Sequence, residues 1–123
     1  MTPRVLDKAV DANGVTLEKW DNKEYKTIMT EDESRALTRL MESVVTSGTA
    51  KRGMSGASYT SAGKTGSAEF DALKQDSHAW YTGFAPLEDP QISVTIIVES
   101  VGAGGDYAVP IARRIFDAYF DEY

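Results

Sequence analysis

Apolar residues recur along this chain at two periods, and the switches between them mark out its elements. Residues 4 to 20 alternate apolar and polar about Asn13-Gly14, a dipeptide suited to the positive backbone angles of a tight hairpin turn, with Val10 and Val15 on either side. A two-stranded hairpin is expected there. From Thr30 the period lengthens. Thr30 and Glu33 form a Thr-x-x-Glu capping box, and Leu37, Leu40, Met41, Val44 and Val45 recur at three and four residues, which predicts an amphipathic helix ending near Gly48. Glu31, Asp32 and Glu33 suit its N-terminus, where the helix dipole favours negative charge.

Residues 58 to 70 and 79 to 86 mix polar residues with Tyr, Thr, Phe and Trp, and Ile92 to Val98 is the most β-branched stretch of the chain. They predict three strands joined by short polar loops around Lys74 to Ser77 and Glu88 to Pro90. A glycine cluster at Gly102, Gly104 and Gly105 then leads to Pro110, placed at the first turn of a second amphipathic helix that carries Ala112, Ile115, Phe116, Tyr119 and Phe120. Connections this short do not allow parallel crossovers among the last three strands. The expected fold class is therefore α+β, an antiparallel sheet flanked by helices in the order ββ-α-βββ-α, with residues 1-123 forming one domain or part of one.

Composition narrows the partners. A chain of 123 residues with 41% hydrophobic content buries about 65% of its unfolded surface, enough for a modest core. A net charge of -6, with no basic cluster longer than Lys51-Arg52 and Arg113-Arg114, argues against nucleic acid or an anionic membrane as the main partner. With no cysteine and one histidine, thiolate zinc sites are excluded and no metal or other cofactor is expected. No run approaches the ~18 apolar residues of a spanning helix, so no membrane contact is expected of this segment.

The candidate chemistry lies in Ser61-Ala62-Gly63-Lys64-Thr65-Gly66-Ser67-Ala68-Glu69. Glycine inside a strand weakens it unless something must approach the backbone closely. A ligand laid along this strand would meet the Lys64 ammonium and the Thr65 and Ser67 hydroxyls, a set suited to a carboxylate-bearing peptide. Alternation puts Lys64 on the opposite face from Thr65 and Ser67, so all three converge only on an exposed, twisted edge strand. A Lys-Thr-Gly strand is one of three marks of penicillin-binding serine acyl-transfer enzymes. The others, a helical Ser-x-x-Lys and a Ser-x-Asn, are absent: Ser61-Ala62-Gly63-Lys64 is the lone match to the first, and it shares its lysine with the triplet.

Ala62 to Glu69, followed by Ala79-Trp80-Tyr81-Thr82-Gly83-Phe84-Ala85-Pro86, resembles the C-terminal part of the transpeptidase domain of penicillin-binding proteins. Met41-Glu42-Ser43-Val44-Val45 with Gly48-Thr49-Ala50, and Ala108-Val109-Pro110-Ile111, resemble the helix and loop before the triplet and the closing helix of that family. The resemblance implies a partial transpeptidase/β-lactamase-like fold and D-alanyl-D-alanine transpeptidation in cell-wall peptidoglycan synthesis, outside the cytoplasm, by an acyl-enzyme that β-lactam antibiotics trap. It implies that Lys64 borders the nucleophile, that Thr65 binds the terminal carboxylate and that Gly66 admits the ligand. The Ser67 backbone N–H would then be one oxyanion donor, a class of contact whose loss typically costs ~100- to 1,000-fold in rate. Ser67 stands where threonine is commonest. The implied partners are the peptidoglycan stem peptide, β-lactams and the upstream part of the domain, which holds the nucleophile. A non-catalytic peptide- or partner-binding module and a serine β-lactamase fragment are the alternatives.

Other features read as structural. Gly63-Lys64-Thr65 lacks the earlier glycine of a phosphate loop, since that position is Ser58. His78 has no paired motif and suits a surface or capping role. Trp80 and Phe84 share a strand parity and read as core, and Ser55 and Ser58 as turn residues.

Overall fold

A computed structural model of the chain describes residues 5–21, 23–69 and 77–122. The chain divides into two compact units, residues 1–33 and 34–123.

In the first unit β1 (Lys8–Val10) pairs antiparallel with β2 (Thr16–Lys19). The hairpin forms as its alternation predicts, but its turn is not a two-residue one. Gly14 alone takes a positive φ, +82°, and its N–H donates to the Asp11 carbonyl at 3.0 Å while the Asp11 N–H donates to Val15 at 2.9 Å. This is a three-residue loop with a left-handed third position. The Asp11 carboxylate imposes it by accepting from the N–H groups of both Asn13 and Val15, each at 2.9 Å.

Helix α1 (Glu31–Thr46) begins at the expected capping box. The Thr30 N–H and hydroxyl donate to the Glu33 carboxylate at 2.7 and 2.9 Å, and the Glu33 N–H returns a bond to the Thr30 hydroxyl at 3.3 Å. After Gly48 comes a single helical turn, α2 (Lys51–Met54), which the Gly/Ser-rich sequence does not signal.

Strands β3 (Ala62–Glu69), β4 (Ser77–Ala85) and β5 (Ile92–Val98) form an antiparallel sheet in that order, so β3 is an edge strand. The loop expected around Lys74 to Ser77 falls outside the described residues up to Ser77, where β4 starts. The register sets Thr65 against Tyr81 and Lys64 against Thr82, and Tyr81 against Ile96. Tyr81, Ile96 and the residues two away from each share one face.

Helix α3 (Gly104–Glu122) covers that face, burying Ala108, Val109, Ala112 and Phe116 against Ala79, Tyr81 and Ala85, with Ala50 and Met54 completing the core. It starts six residues before Pro110, so Pro110 lies inside the helix rather than at its first turn. The glycines that suggest a loop, Gly104 and Gly105, are its opening residues.

Two core expectations need correction. Trp80 and Phe84 lie on the opposite face of the sheet from α3, where Trp80 remains 37% exposed. The buried aromatic of β4 is Tyr81, fully enclosed and laid across Gly63 and Gly83, where an added Cβ would overlap its ring and hydroxyl. Gly63 thus makes room for a side chain of the next strand.

Candidate active site

Edge position decides what β3 exposes. It is hydrogen-bonded to β4 on one side only among the described residues, so its other margin is open. Along that margin Lys64, Thr65, Gly66 and Ser67 line a cleft of about 400 Å³, closed by Thr49 and by Ala103 to Asp106 at the start of α3. The four residues expected to carry chemistry therefore line one cleft, on an open edge strand. The hairpin unit holds a larger hollow, about 590 Å³, beside Leu6 and Trp20, and none of the candidate residues borders it.

The two faces of β3 reach the cleft differently. Lys64 is exposed on the face away from α3, and its ammonium curls across the edge to donate to the Thr65 carbonyl. Thr65, opposite the buried Tyr81, points to the α3 side and is 8% exposed. Ser67 lies on the same side, where its hydroxyl accepts from the Gly104 N–H at 3.4 Å. The start of α3 presses directly on the strand backbone: a Cβ on Gly104 would overlap the carbonyl oxygens of Trp80 and Gly66. That close approach sets the positive end of a 19-residue helix on the cleft that Lys64 also lines. Asp106 brings a carboxylate to the same rim, and Arg52 pairs with it.

Thr49 is the residue that sequence reasoning passes over. It is grouped with Gly48 and Ala50 as a loop, yet its Oγ1 lies 2.6 Å from Thr65 Oγ1. Sixteen residues and a helical turn separate the two, and no local pattern signals a contact across that distance.

The remaining candidates take structural places. His78 Nδ1 accepts from the Ser100 N–H at 3.1 Å, a loop-capping role of the kind expected. Ser61 and Lys64, the lone Ser-x-x-Lys match, have opposite fates: Ser61 is buried at the mouth of β3 and Lys64 is exposed within it. A strand cannot present them as a helix turn does. Behind the sheet, Asp117 accepts from Tyr59 at 2.9 Å and from Arg113 at 2.7 Å. Desolvation opposes ionisation of Asp117, but these bonds outweigh it and hold the carboxyl below its ordinary range. Burial, then the bond to Asp117, pushes the Tyr59 hydroxyl far up. Among the described residues no group of three His, Asp or Glu side chains is placed to hold a metal, and no helix is long and apolar enough to cross a membrane.

Comparison with known proteins adds independent findings. The family description "Penicillin binding protein transpeptidase domain" matches residues 1–117. The peptidoglycan D,D-transpeptidase MrdA of Haemophilus influenzae is 34% identical over 88 residues, which is 61% of this chain and 14% of that protein. Penicillin-binding protein A of Mycobacterium tuberculosis, solved as a ceftriaxone acyl-enzyme complex, superposes with a TM-score of 0.79 at 25% identity over 89% of this chain and 26% of its own. The D,D-transpeptidase domain of a peptidoglycan glycosyltransferase from Eggerthella lenta shares the fold, with a TM-score of 0.80 at 23% identity over 94% of this chain and 26% of its own. The chain thus spans about a seventh of its curated relative and about a quarter of the solved chains.

Proposed function

The chain belongs to the penicillin-binding protein transpeptidase domain family, and on that premise we propose that it supplies the Lys-Thr-Gly strand and the oxyanion side of a serine acyl-transfer site in a peptidoglycan D,D-transpeptidase. The observation that carries the reading is the open edge of β3, where Lys64, Thr65, Gly66 and Ser67 line one cleft under the N-terminus of α3.

The chemistry follows from what that edge offers. The substrate class is a stem peptide ending in D-alanyl-D-alanine, and β-lactams occupy the same place. The terminal carboxylate meets the Thr65 hydroxyl, in a field made positive by the Lys64 ammonium and the helix dipole. A nucleophilic serine of a Ser-x-x-Lys helix, contributed by the upstream part of the domain, adds through its oxygen to the penultimate carbonyl. The C–N bond to the terminal residue then breaks, and the departing nitrogen takes the proton that the serine hydroxyl gave up. The negative oxygen formed on the way is held by backbone donors, one of them the Ser67 N–H. Gly66 keeps the strand free of a side chain where the ligand lies. The site works on the extracytoplasmic side of the membrane, where its polymer is built.

The test is the intact mass of the polypeptide that carries this segment after exposure to a labelled penicillin, with the modified residue mapped. A label on a serine of a Ser-x-x-Lys outside residues 1–123 supports the assignment. A label on a serine of this chain overturns the division of labour, and no label overturns the acyl-transfer reading in favour of a binding module.

A further inference from the structure

The geometry points to Thr49 as a positioning residue that turns the Thr65 hydroxyl into a fixed donor for an anion in the cleft. The inference rests on the functional reading above and names a residue that this reading does not use.

Two hydroxyl oxygens 2.6 Å apart share one hydrogen bond, so of their two protons one lies between the oxygens and one is left to give away. When Thr49 donates, the proton left over is that of Thr65. Thr65 is 8% exposed, so its hydroxyl has little water to turn to, and the open direction is the cleft that both residues line. An anion drawn there by Lys64 and the α3 N-terminus selects this arrangement, and the chain of two hydroxyls polarises in its favour.

The backbone holds Thr49 where this requires it. On one side, a Cβ on Gly48 would lie 2.7 Å from Val44 Cα, so the turn packs against the end of α1. On the other, Ala50 is fully buried and its N–H donates to the Val44 carbonyl at 3.0 Å. The Thr49 carbonyl is so close to α3 that a Cβ on Gly105 would come within 2.8 Å of it. Thr49 is thus fixed between two helices, with its hydroxyl aimed at β3. Asp106, the one carboxylate that lines the cleft among the described residues, is paired with Arg52, which leaves the positive groups to act on a ligand.

The experiment uses the full transpeptidase polypeptide that carries this segment, as wild type, Thr49→Val, Thr49→Ser and Thr65→Val. For each, the second-order acylation rate is measured with benzylpenicillin and with its methyl ester, which lacks the carboxylate charge. Loss of one oriented hydrogen bond predicts that Thr49→Val lowers the acid-to-ester rate ratio about fivefold. Thr49→Ser, which keeps the hydroxyl, restores the ratio. A Thr49→Val protein that slows acid and ester equally has lost packing only, and that result overturns the proposal. If Thr65→Val lowers the ratio and Thr49→Val leaves it unchanged, the proposal fails while the functional reading stands. If Thr65→Val also leaves it unchanged, the functional reading fails with it. Should Thr49→Val not fold, Thr49→Ala is read against Thr49→Ser by the same ratio.

Discussion

Helix α3 buries Ala108, Val109, Ala112 and Phe116 completely, whereas α1 carries an apolar stripe at the same spacing and buries none of its residues. Small side chains explain how α3 closes on the sheet: Ala108 and Ala112 let the axis approach, and Val109 and Phe116 fill the space on either side. On α1, Leu37 and Leu40 remain 44% and 67% exposed, and Val44 and Val45 alone pack against the core. An apolar stripe therefore states that a helix face has a covering surface without saying where it is. For α3 the surface is β4 and β5. For α1 the described residues of the chain supply it only at the C-terminal end.

The largest test of this contrast is truncation of one residue in each stripe. Phe116→Ala is expected to cost about 3 to 5 kcal/mol of unfolding free energy, as emptied aromatic sites in cores do. Leu40→Ala in the same chain is expected to stay within about 0.5 kcal/mol, as exposed substitutions do. Urea unfolding of both variants checks it, and equal losses would mean that α1 is covered as α3 is.

Next in size is the packing under α3. Gly83→Ala places a Cβ 2.7 Å from the Ala62 carbonyl oxygen and into the Tyr81 ring, an overpacking expected to cost about 1 to 3 kcal/mol. Tyr81→Phe alone is expected to be neutral or stabilising. The Tyr81 hydroxyl is buried without a hydrogen-bond partner among the described residues, its pKa is pushed up to about 12 by that burial, and phenylalanine removes an unsatisfied group. Combining the two is expected to recover part of the Gly83→Ala loss, because the hydroxyl is the nearest atom to the new methyl. Strict additivity would show that the strand rather than the ring yields.

These two helices and the sheet also show what a sequence carries. The capping box at Thr30 and Glu33, the strands and the Lys-Thr-Gly edge were all legible, because each depends on neighbours a few residues away. Residues that meet across the fold were not. Tyr81 alternates with Trp80 and Phe84, and pattern alone ranks all three as apolar; only the position of α3 decides which parity is inside. Pro110 suggested a helix start because proline suits a first turn, yet Gly104 and Gly105 begin the helix for a tertiary reason, the close approach of Gly104 to the sheet backbone and of Gly105 to the Thr49 carbonyl. Thr49 meets Thr65 through the same non-local packing, so half of a hydroxyl pair was visible and half was not.

A smaller effect separates the helix starts. Thr30→Ala removes a side-chain cap and is expected to cost about 1 kcal/mol, read by thermal or urea unfolding. Because α1 gains little from burial, its helicity is expected to fray first, with α3 unaffected. Amide hydrogen exchange resolves the two, and uniform loss of protection in both helices would count against separate contributions.

The smallest effect is electrostatic and separates the same two helices by the pH at which each loss begins. Glu33 accepts from the Thr30 backbone N–H and, secondarily, from its hydroxyl, which holds its carboxyl below its ordinary value of 4.5. Asp117 on α3 is held below 3.8, its bonds from Arg113 and Tyr59 outweighing desolvation. Both pKa values are lowered on folding, so each contribution is complete above the unfolded value and is lost as the pH falls through the folded one. On acidification from about pH 7 to about pH 3, wild-type stability is expected to fall, the Glu33 contribution beginning to weaken at the higher pH because its ordinary value, 4.5, lies above the 3.8 of Asp117. Glu33→Gln is expected to flatten the onset of the fall, and Asp117→Asn the part that begins at lower pH. Melting temperatures of the three proteins across that range decide it: a wild-type curve superimposable on that of Glu33→Gln would show that the charge of the capping carboxylate contributes nothing beyond the hydrogen bonds from Thr30, which a glutamine carbonyl also accepts.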